Sequence, residues 1–320
     1  MTEEPNQTTA ESSTQKGQYK ATVLSNRQIR QRFNKLRLEF SEEAANVFAE
    51  FKPGQFVQLD LSDIALPPED DIPNDLQDAA DRKILLRRPF SFAGLTNEHN
   101  KIHADIIYCV LGPATLRMTT LKPGNSLSVI GPLGNGFHVP ANKKIVLLVS
   151  GGMGIPPIQH LAQVLATNYP DIEVTAFVGA KSAKALPFEG RLDEISVELG
   201  FSLPEFAKLG TESLVATDDG SIGYQGFVTS CLSEWLDQSQ ANKDDMIICG
   251  CGPEPMLAEL ARIAGDKNID CQISMERRMA CGIGLCQSCA VECRVDGSSE
   301  TIYKLCCENG PVFDAKEVVF

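Results

Sequence analysis

The sequence predicts an α+β multi-domain protein: an antiparallel β-barrel, a parallel α/β domain, and a small metal-stapled C-terminal domain. Three observations predict it. Segments alternating polar and apolar residues fill the chain from Gln18 to His138, and strands alternate with helical patterns from Asn142 to Asp266. Seven of the eleven cysteines then crowd between Cys271 and Cys307.

In the first part, YKATVLSN, RFNKLRLEF, QFVQLDL and KIHADIIYCV carry the two-residue period of half-buried strands. Lys-Pro-Gly occurs at Lys52–Gly54 and Lys122–Gly124, each supplying a turn before a strand. Short strands of this kind build a small barrel. Between Leu61 and Lys83 the chain is rich in Asp and Pro, and an exposed loop insertion is expected. Residues 1–17 are polar, with no basic segment followed by an apolar one, so a disordered tail is expected rather than a secretory signal.

In the second part, the apolar run KIVLLVS ends in Gly-Gly-Met-Gly and is followed by Ile158, Leu161 and Leu165 at helical spacing. EVTAFVGA, SLVATDDG and DDMIICGCG read as further strands with helical stretches between them. That alternation predicts an open parallel sheet with right-handed crossovers. The last segment, from Ile269, is too short to build its own core easily, so a metal staple is physically reasonable. The expected domains are 18–140, 141–267 and 268–320.

A net charge of −13 and a pI near 4.8 argue against a nucleic-acid groove or an anionic membrane surface as partner. No apolar run approaches the roughly 20 residues of a membrane span, and a cytoplasmic protein is expected. In that compartment a dense cysteine cluster points to metal rather than to disulfides. Cys281, Cys286 and Cys289 stand in MACGIGLCQSCAV with the C-x4-C-x2-C spacing of a plant-type 2Fe–2S cluster. Gly282 and Gly284 let one loop curl so that three thiolates converge, and its backbone N–H groups can bond the sulfurs. The fourth ligand is Cys306 or Cys307, with Cys293 less well placed. Zinc would favour two C-x2-C pairs, and only one is present.

Within the barrel segment, RRPFSFAG offers Arg88 as a fork of donors for a phosphate and Ser91 as a hydroxyl for a flavin ring nitrogen. Gly112-Pro113-Ala114-Thr115 opens a helix whose N-terminus suits a pyrophosphate, and GPLGNGF follows with glycines that permit close backbone approach. Their order in one segment predicts a bound flavin with a pyrophosphate. In the α/β part, Gly151, Gly152 and Gly154 form a phosphate-binding turn between strand and helix, although not G-x-G-x-x-G. Cys251, Gly252 and Pro253 lie at a later strand end, where such sheets bind ligands, and set a small thiol and bare backbone against a nicotinamide ring. Cys249 is expected to pack as a small hydrophobe. Asp218 and Asp219 either meet ribose hydroxyls or form a solvated turn. Lys181 and Ser182 either hold a 2′-phosphate or face water, which leaves NAD and NADP both open.

Barrel, α/β domain and cysteine cluster, in that order, resemble the ferredoxin–NADP reductase superfamily. RRPFS, GPLGNGF, SGGMGIPP, ATDDGSIG, CGPEPML, MACGIGLCQSCAV and the ending GPVFDAKEVVF most resemble the electron-transfer subunits of dihydroorotate dehydrogenase type B. The resemblance implies FAD contacts at Arg88, Pro89, Phe90 and Ser91, along Ile107, Tyr108 and Cys109, and at Ala114 and Thr115. It places Ser91 and Cys251 at the reacting rings and makes Cys307 the fourth ligand, since Tyr303-Lys304 precedes it and Gly310–Phe313 follows. The chain departs from the family at Pro113-Ala114, at Cys109 where Arg is usual, at the longer acidic insertion, and at the extra thiol of Cys306. The implied partner is an FMN-containing catalytic subunit that oxidises dihydroorotate in pyrimidine biosynthesis, in a heterotetramer with two copies of each chain. Electrons would reach NAD through the cluster and FAD. The competing readings are a diaphorase subunit of a related NAD(P)H–ferredoxin, sulfide dehydrogenase or hydrogenase system, and a non-enzymatic zinc or redox-sensing module.

Overall fold

The computed structural model describes residues 16–80, 82, 87–189 and 203–320. The expected N-terminal tail therefore lies outside the described residues up to position 15, and Gly17 already starts a strand. The alternating segments form β1 (Gly17–Arg30), β2 (Phe33–Phe40), β3 (Phe56–Leu59), β4 (Arg88–Ser91), β5 (Gly94–Glu98), β6 (Lys101–Cys109) and β7 (Ser126–Leu133). They make one antiparallel half-barrel sheet in the order β4-β3-β7-β1-β2-β6-β5. Each strand turns every second side chain inward. Leu36, Leu38 and Phe40 of β2 are thus fully buried beside Phe48, Phe51 and Phe92, with the Phe40 and Phe48 rings stacked at 4.0 Å.

Phe48 arrives on α1 (Glu42–Phe48). The acidic insertion is not a free loop. It carries two 3-10 turns and α2 (Gln77–Ala80), burying Leu76 and Ala80 in the half-barrel core. Its anchors are polar as well: Arg32 grips both carboxylate oxygens of Asp75 at 2.6 and 2.7 Å, and Thr120 donates to the Ala65 carbonyl. Composition hid this because the few apolar residues are diluted among many Asp and Pro. The other short helix here, α3 (Pro113–Met118), follows β6.

The second sheet contains β8 (Ile145–Gly151), β9 (Glu173–Ala180), β10 (Glu212–Thr217), β11 (Tyr224–Gln225), β12 (Met246–Cys251) and β13 (Asp270–Ser274). Helices cover both of its faces. α4 (Ile155–Asn168) and α5 (Pro204–Ala207) pack on one, α6 (Val228–Gln238) and α7 (Glu254–Lys267) on the other. Burial on both faces explains the uninterrupted apolar run of β8, every residue of which is buried.

The C-terminal segment is less separate than a boundary at 268 implies. After the hairpin β14 (Ala290–Arg294) and β15 (Thr301–Leu305), β16 (Val312–Asp314) adds antiparallel to β13 and completes the order β11-β10-β9-β8-β12-β13-β16. The segment's first and last strands thus belong to the parallel sheet, which supplies the core that fifty residues lack. Cys271, Cys289, Cys293, Cys306 and Cys307 are buried in that shared core with Phe56 and Leu133 of the half-barrel.

Two side-chain amides fix the halves together. Gln163 of α4 accepts from Leu95 N–H at 3.0 Å and donates to Leu95 C=O at 2.7 Å. Asn135 does the same to Val312, at 2.9 Å in each direction.

Candidate functional site

The C-terminal ends of β8 and β12 face the β4 edge of the half-barrel across a cleft. One cavity of about 270 Å³ is lined by Pro89, Phe90 and Ser91, by Ile107, Tyr108 and Cys109, by Thr115, and by Cys251, Ser274 and Met275. A second, of about 710 Å³, is lined by Arg88, Gly252, Pro253, Glu254, Arg277 and Arg278. Pro89, Met275 and Arg277 wall both. The structure therefore brings the RPFS strand and the CGP turn to one cleft.

Within this cleft individual groups are already committed. The Tyr108 side chain turns into the half-barrel core and donates to Asn26 Oδ1 at 3.0 Å, so this residue offers the cavity its backbone. Ala114 packs against the same core. The Thr115 hydroxyl accepts from Leu111 N at 2.9 Å and Gly112 N at 3.2 Å, capping its own helix instead of reaching outward. Burial pushes the Cys251 thiol up to about 12, partly offset by a hydrogen bond with Ser274, so it stays a neutral thiol at pH 7.

The glycine turn after β8 is shaped by protein neighbours. A Cβ on Gly154 would stand 2.0 Å from the Cys251 carbonyl oxygen, and one on Gly151 2.7 Å from Met256 Sδ. Gly152 has open space around it and a φ of +54°. Beside them the Ser150 hydroxyl is fully buried with no partner among the described residues. Of the other nucleotide candidates, Asp219 accepts from Ser221 N at 3.0 Å within its own turn, whereas Asp218 and Lys181 are exposed and Ser182 is half-buried. Cys249 is fully buried in β12.

Five residues, Met275 to Met279, lead from the cleft to the cysteine loop, and Arg277 ties this run to Glu254 of α7 through both carboxylate oxygens. Four thiols lie there as two pairs. Cys281 and Cys286 interact with each other, and Cys289 with Cys307. Loop amides point at the sulfurs: Gly284 N donates to Cys307 Sγ at 3.2 Å, and Cys286 N to Cys281 Sγ at 3.3 Å. Hydrogen bonds from Ser288 and from Cys281 lower the exposed Cys286 thiol to about 6, favouring thiolate at neutral pH. The adjacent cysteines point apart. Cys306 is fully buried and donates to the Met275 carbonyl at 3.2 Å. Among the described residues no three His, Cys, Asp or Glu side chains gather as one ion would require.

Fold and site together define a class: an NAD-linked oxidoreductase with an iron–sulfur segment at its C-terminus. Residues 148–262 match the oxidoreductase NAD-binding domain, and residues 276–319 match the iron–sulfur cluster binding domain of dihydroorotate dehydrogenase B. The dihydroorotate dehydrogenase B (NAD⁺) electron transfer subunit of Caldanaerobacter subterraneus is 34% identical over 94% of this chain and 98% of its own length. That of Geobacillus thermodenitrificans is 35% identical over 95% and 99%. The chain belongs to this family of electron transfer subunits. Among solved structures, an NADH-dependent reduced ferredoxin–NADP oxidoreductase shares the fold with a TM-score of 0.68 at 24% identity, covering 93% of this chain and 89% of its own. A ferredoxin NADP⁺ reductase of Neisseria gonorrhoeae shares it at 0.54 and 14%, covering 82% and 95%. No helix among the described residues is long and apolar enough to cross a membrane.

Proposed function

We propose that the chain conducts electrons between NAD and a partner subunit that oxidises dihydroorotate on FMN, using one FAD and one 2Fe–2S cluster. The observation that carries this reading is continuity. Met275 walls the cleft, its carbonyl holds the Cys306 thiol, and the next residue is Cys307 of the cysteine loop. Residues 18–140 serve as the FAD domain, its half-barrel closing as a small barrel, 141–267 as the NAD domain, and 268–320 as the cluster domain.

In this reading Arg88 holds a phosphate, while Pro89, Phe90 and Ser91 support the flavin ring, with Ser91 bonding a ring nitrogen. Ile107, Tyr108 and Cys109 follow the ring's edge with their backbone, and the amides of Ala114 and Thr115 face the pyrophosphate. Gly151, Gly152, Gly154, Gly252 and Pro253 receive the NAD. Cys251 presents a neutral thiol to the nicotinamide, avoiding a negative charge beside the transferring hydride. When bound, FAD exchanges a two-electron hydride for single electrons, and the cluster carries one electron at a time. Cys281, Cys286, Cys289 and Cys307 hold the cluster, and the exposed Ile283 and Leu285 beside it offer an apolar edge to the partner. We place the protein in the cytoplasm, in a heterotetramer with two copies of each subunit.

Anaerobic purification, iron and acid-labile sulfide analysis, and a visible spectrum before and after NADH test the reading. Flavin and cluster absorption bleached by NADH is expected, with dihydroorotate-dependent NAD⁺ reduction on adding the FMN subunit. A colourless zinc protein, or flavin that NADH leaves oxidised, would overturn it.

A further inference from the structure

In β3, Val57 and Leu59 point into the half-barrel core, whereas Phe56 joins the core shared with the cysteines. Strand alternation puts Gln58 on the same face as Phe56, towards the C-terminal segment. Its side chain is 0% exposed, yet neither Nε2 nor Oε1 has a hydrogen-bond partner among the described residues. Burying an amide in that state is costly, and folded proteins seldom leave one so.

The neighbour of that amide is the cysteine loop. A Cβ on Gly282 would stand 2.2 Å from Gln58 Nε2 and 2.9 Å from its Cδ. Gly282 follows Cys281 directly and has a φ of +70°. Glycine is therefore required here twice, by the backbone conformation and by the amide packed on it. The loop that must surround negatively charged sulfur thus closes over a buried donor lacking a partner.

We propose that Gln58 donates an N–H···S hydrogen bond to the iron–sulfur group of this loop and raises its reduction potential. The inference rests on the cluster reading above. Sulfur offers only acceptors, so the NH₂ end of the amide faces it. Reduction adds one electron to the cluster and moves no atom. The added negative charge strengthens the bond, so the donor stabilises the reduced form more than the oxidised one. Gln58 thereby acts as a tuning residue contributed by the half-barrel, on the strand next to the RPFS strand, where Gln58 pairs with Pro89.

Gln58→Met keeps length and burial and removes the donor. Titration of the cluster followed by electron paramagnetic resonance is expected to show reduction about tenfold less favourable, 59 mV for a one-electron couple. The flavin potential is expected to stay put. Thermal unfolding supplies a second readout. The variant raises the midpoint of cluster-free protein, because an unsatisfied buried group is gone, and loses that gain once the cluster is loaded. An unchanged cluster potential in a fully loaded variant overturns the proposal. So does a shift in the flavin potential alone, or a cluster-free variant less stable than cluster-free wild type. Wild-type protein without iron and sulfide would instead overturn the cluster reading itself.

Discussion

Replacing Gly154 by alanine adds one methyl group where the Cys251 carbonyl oxygen stands 2.0 Å away, with the Cys251 carbon at 2.3 Å and Gly252 N at 2.7 Å. All three contacts are backbone, so no rotamer change relieves them. Gly154 itself has φ −76°, which any residue adopts, so the whole effect is steric. Ordinary carbon–oxygen contact needs about 3.4 Å, and the turn must separate from the end of β12 by about 1 Å or more. Overpacking of this kind costs about 1–3 kcal/mol, and better helix propensity returns at most about 1. A net loss of about 2 kcal/mol is expected in denaturant unfolding. The functional loss is larger, because a 1 Å displacement of a positioned reacting group costs about 10²-fold in rate. Stopped-flow reduction of the flavin by NADH is therefore expected to slow about a hundredfold in Gly154→Ala. Gly152→Ala is the comparison: no protein atom crowds an added methyl there, and within the protein its φ of +54° resists, for about 1–2 kcal/mol. If Gly154→Ala reduces at the wild-type rate while Gly152→Ala does not, packing against β12 is not what the motif's last glycine provides.

Three further outcomes are expected. Cys307→Ala loses iron and acid-labile sulfide, while Cys306→Ala loads its cluster and unfolds about 1–2 kcal/mol more easily, since it loses only a core thiol bonded to Met275; metal analysis of both variants separates these roles. Burial lowers His160 from 6.5 to about 4, so the folded state resists its protonation. At about 1.36 kcal/mol per pH unit this contribution is somewhat above about 3 kcal/mol; it is complete above pH 6.5 and lost as pH falls towards 4. In His160→Leu the stability profile should flatten across that window, measured by denaturant unfolding at each pH. Gln163→Leu removes both bonds to Leu95 and costs about 1–3 kcal/mol; calorimetry is expected to resolve separate transitions for the two halves where wild type gives one.

The cleft's residues were legible because each sits in a local pattern: RPFS on an alternating strand, GGMG between an apolar run and a helix, CGP at a strand end. Their roles were less so. Thr115 read as part of a helix N-terminus suited to a pyrophosphate, whereas its hydroxyl accepts from Leu111 N and Gly112 N, a contact that depends on how the turn closes. His160 and Gln58 carried no signal, because a buried polar residue reads in sequence like any exposed one.

Periodicity and turn residues by themselves determined an antiparallel sheet followed by a parallel one, since the strand and helix repeats are local properties of the chain. Cysteine spacing likewise marked Cys281, Cys286 and Cys289 as the thiols of one loop, because a C-x4-C-x2-C run is a local feature of the chain. Only the tertiary structure decided that the Cys306 thiol bonds the Met275 carbonyl, that β13 and β16 extend the nucleotide sheet, and that Gln58 lies beneath Gly282. Each of these is a contact between segments far apart in the chain, fixed by strand register and by which core has room. No local pattern records either.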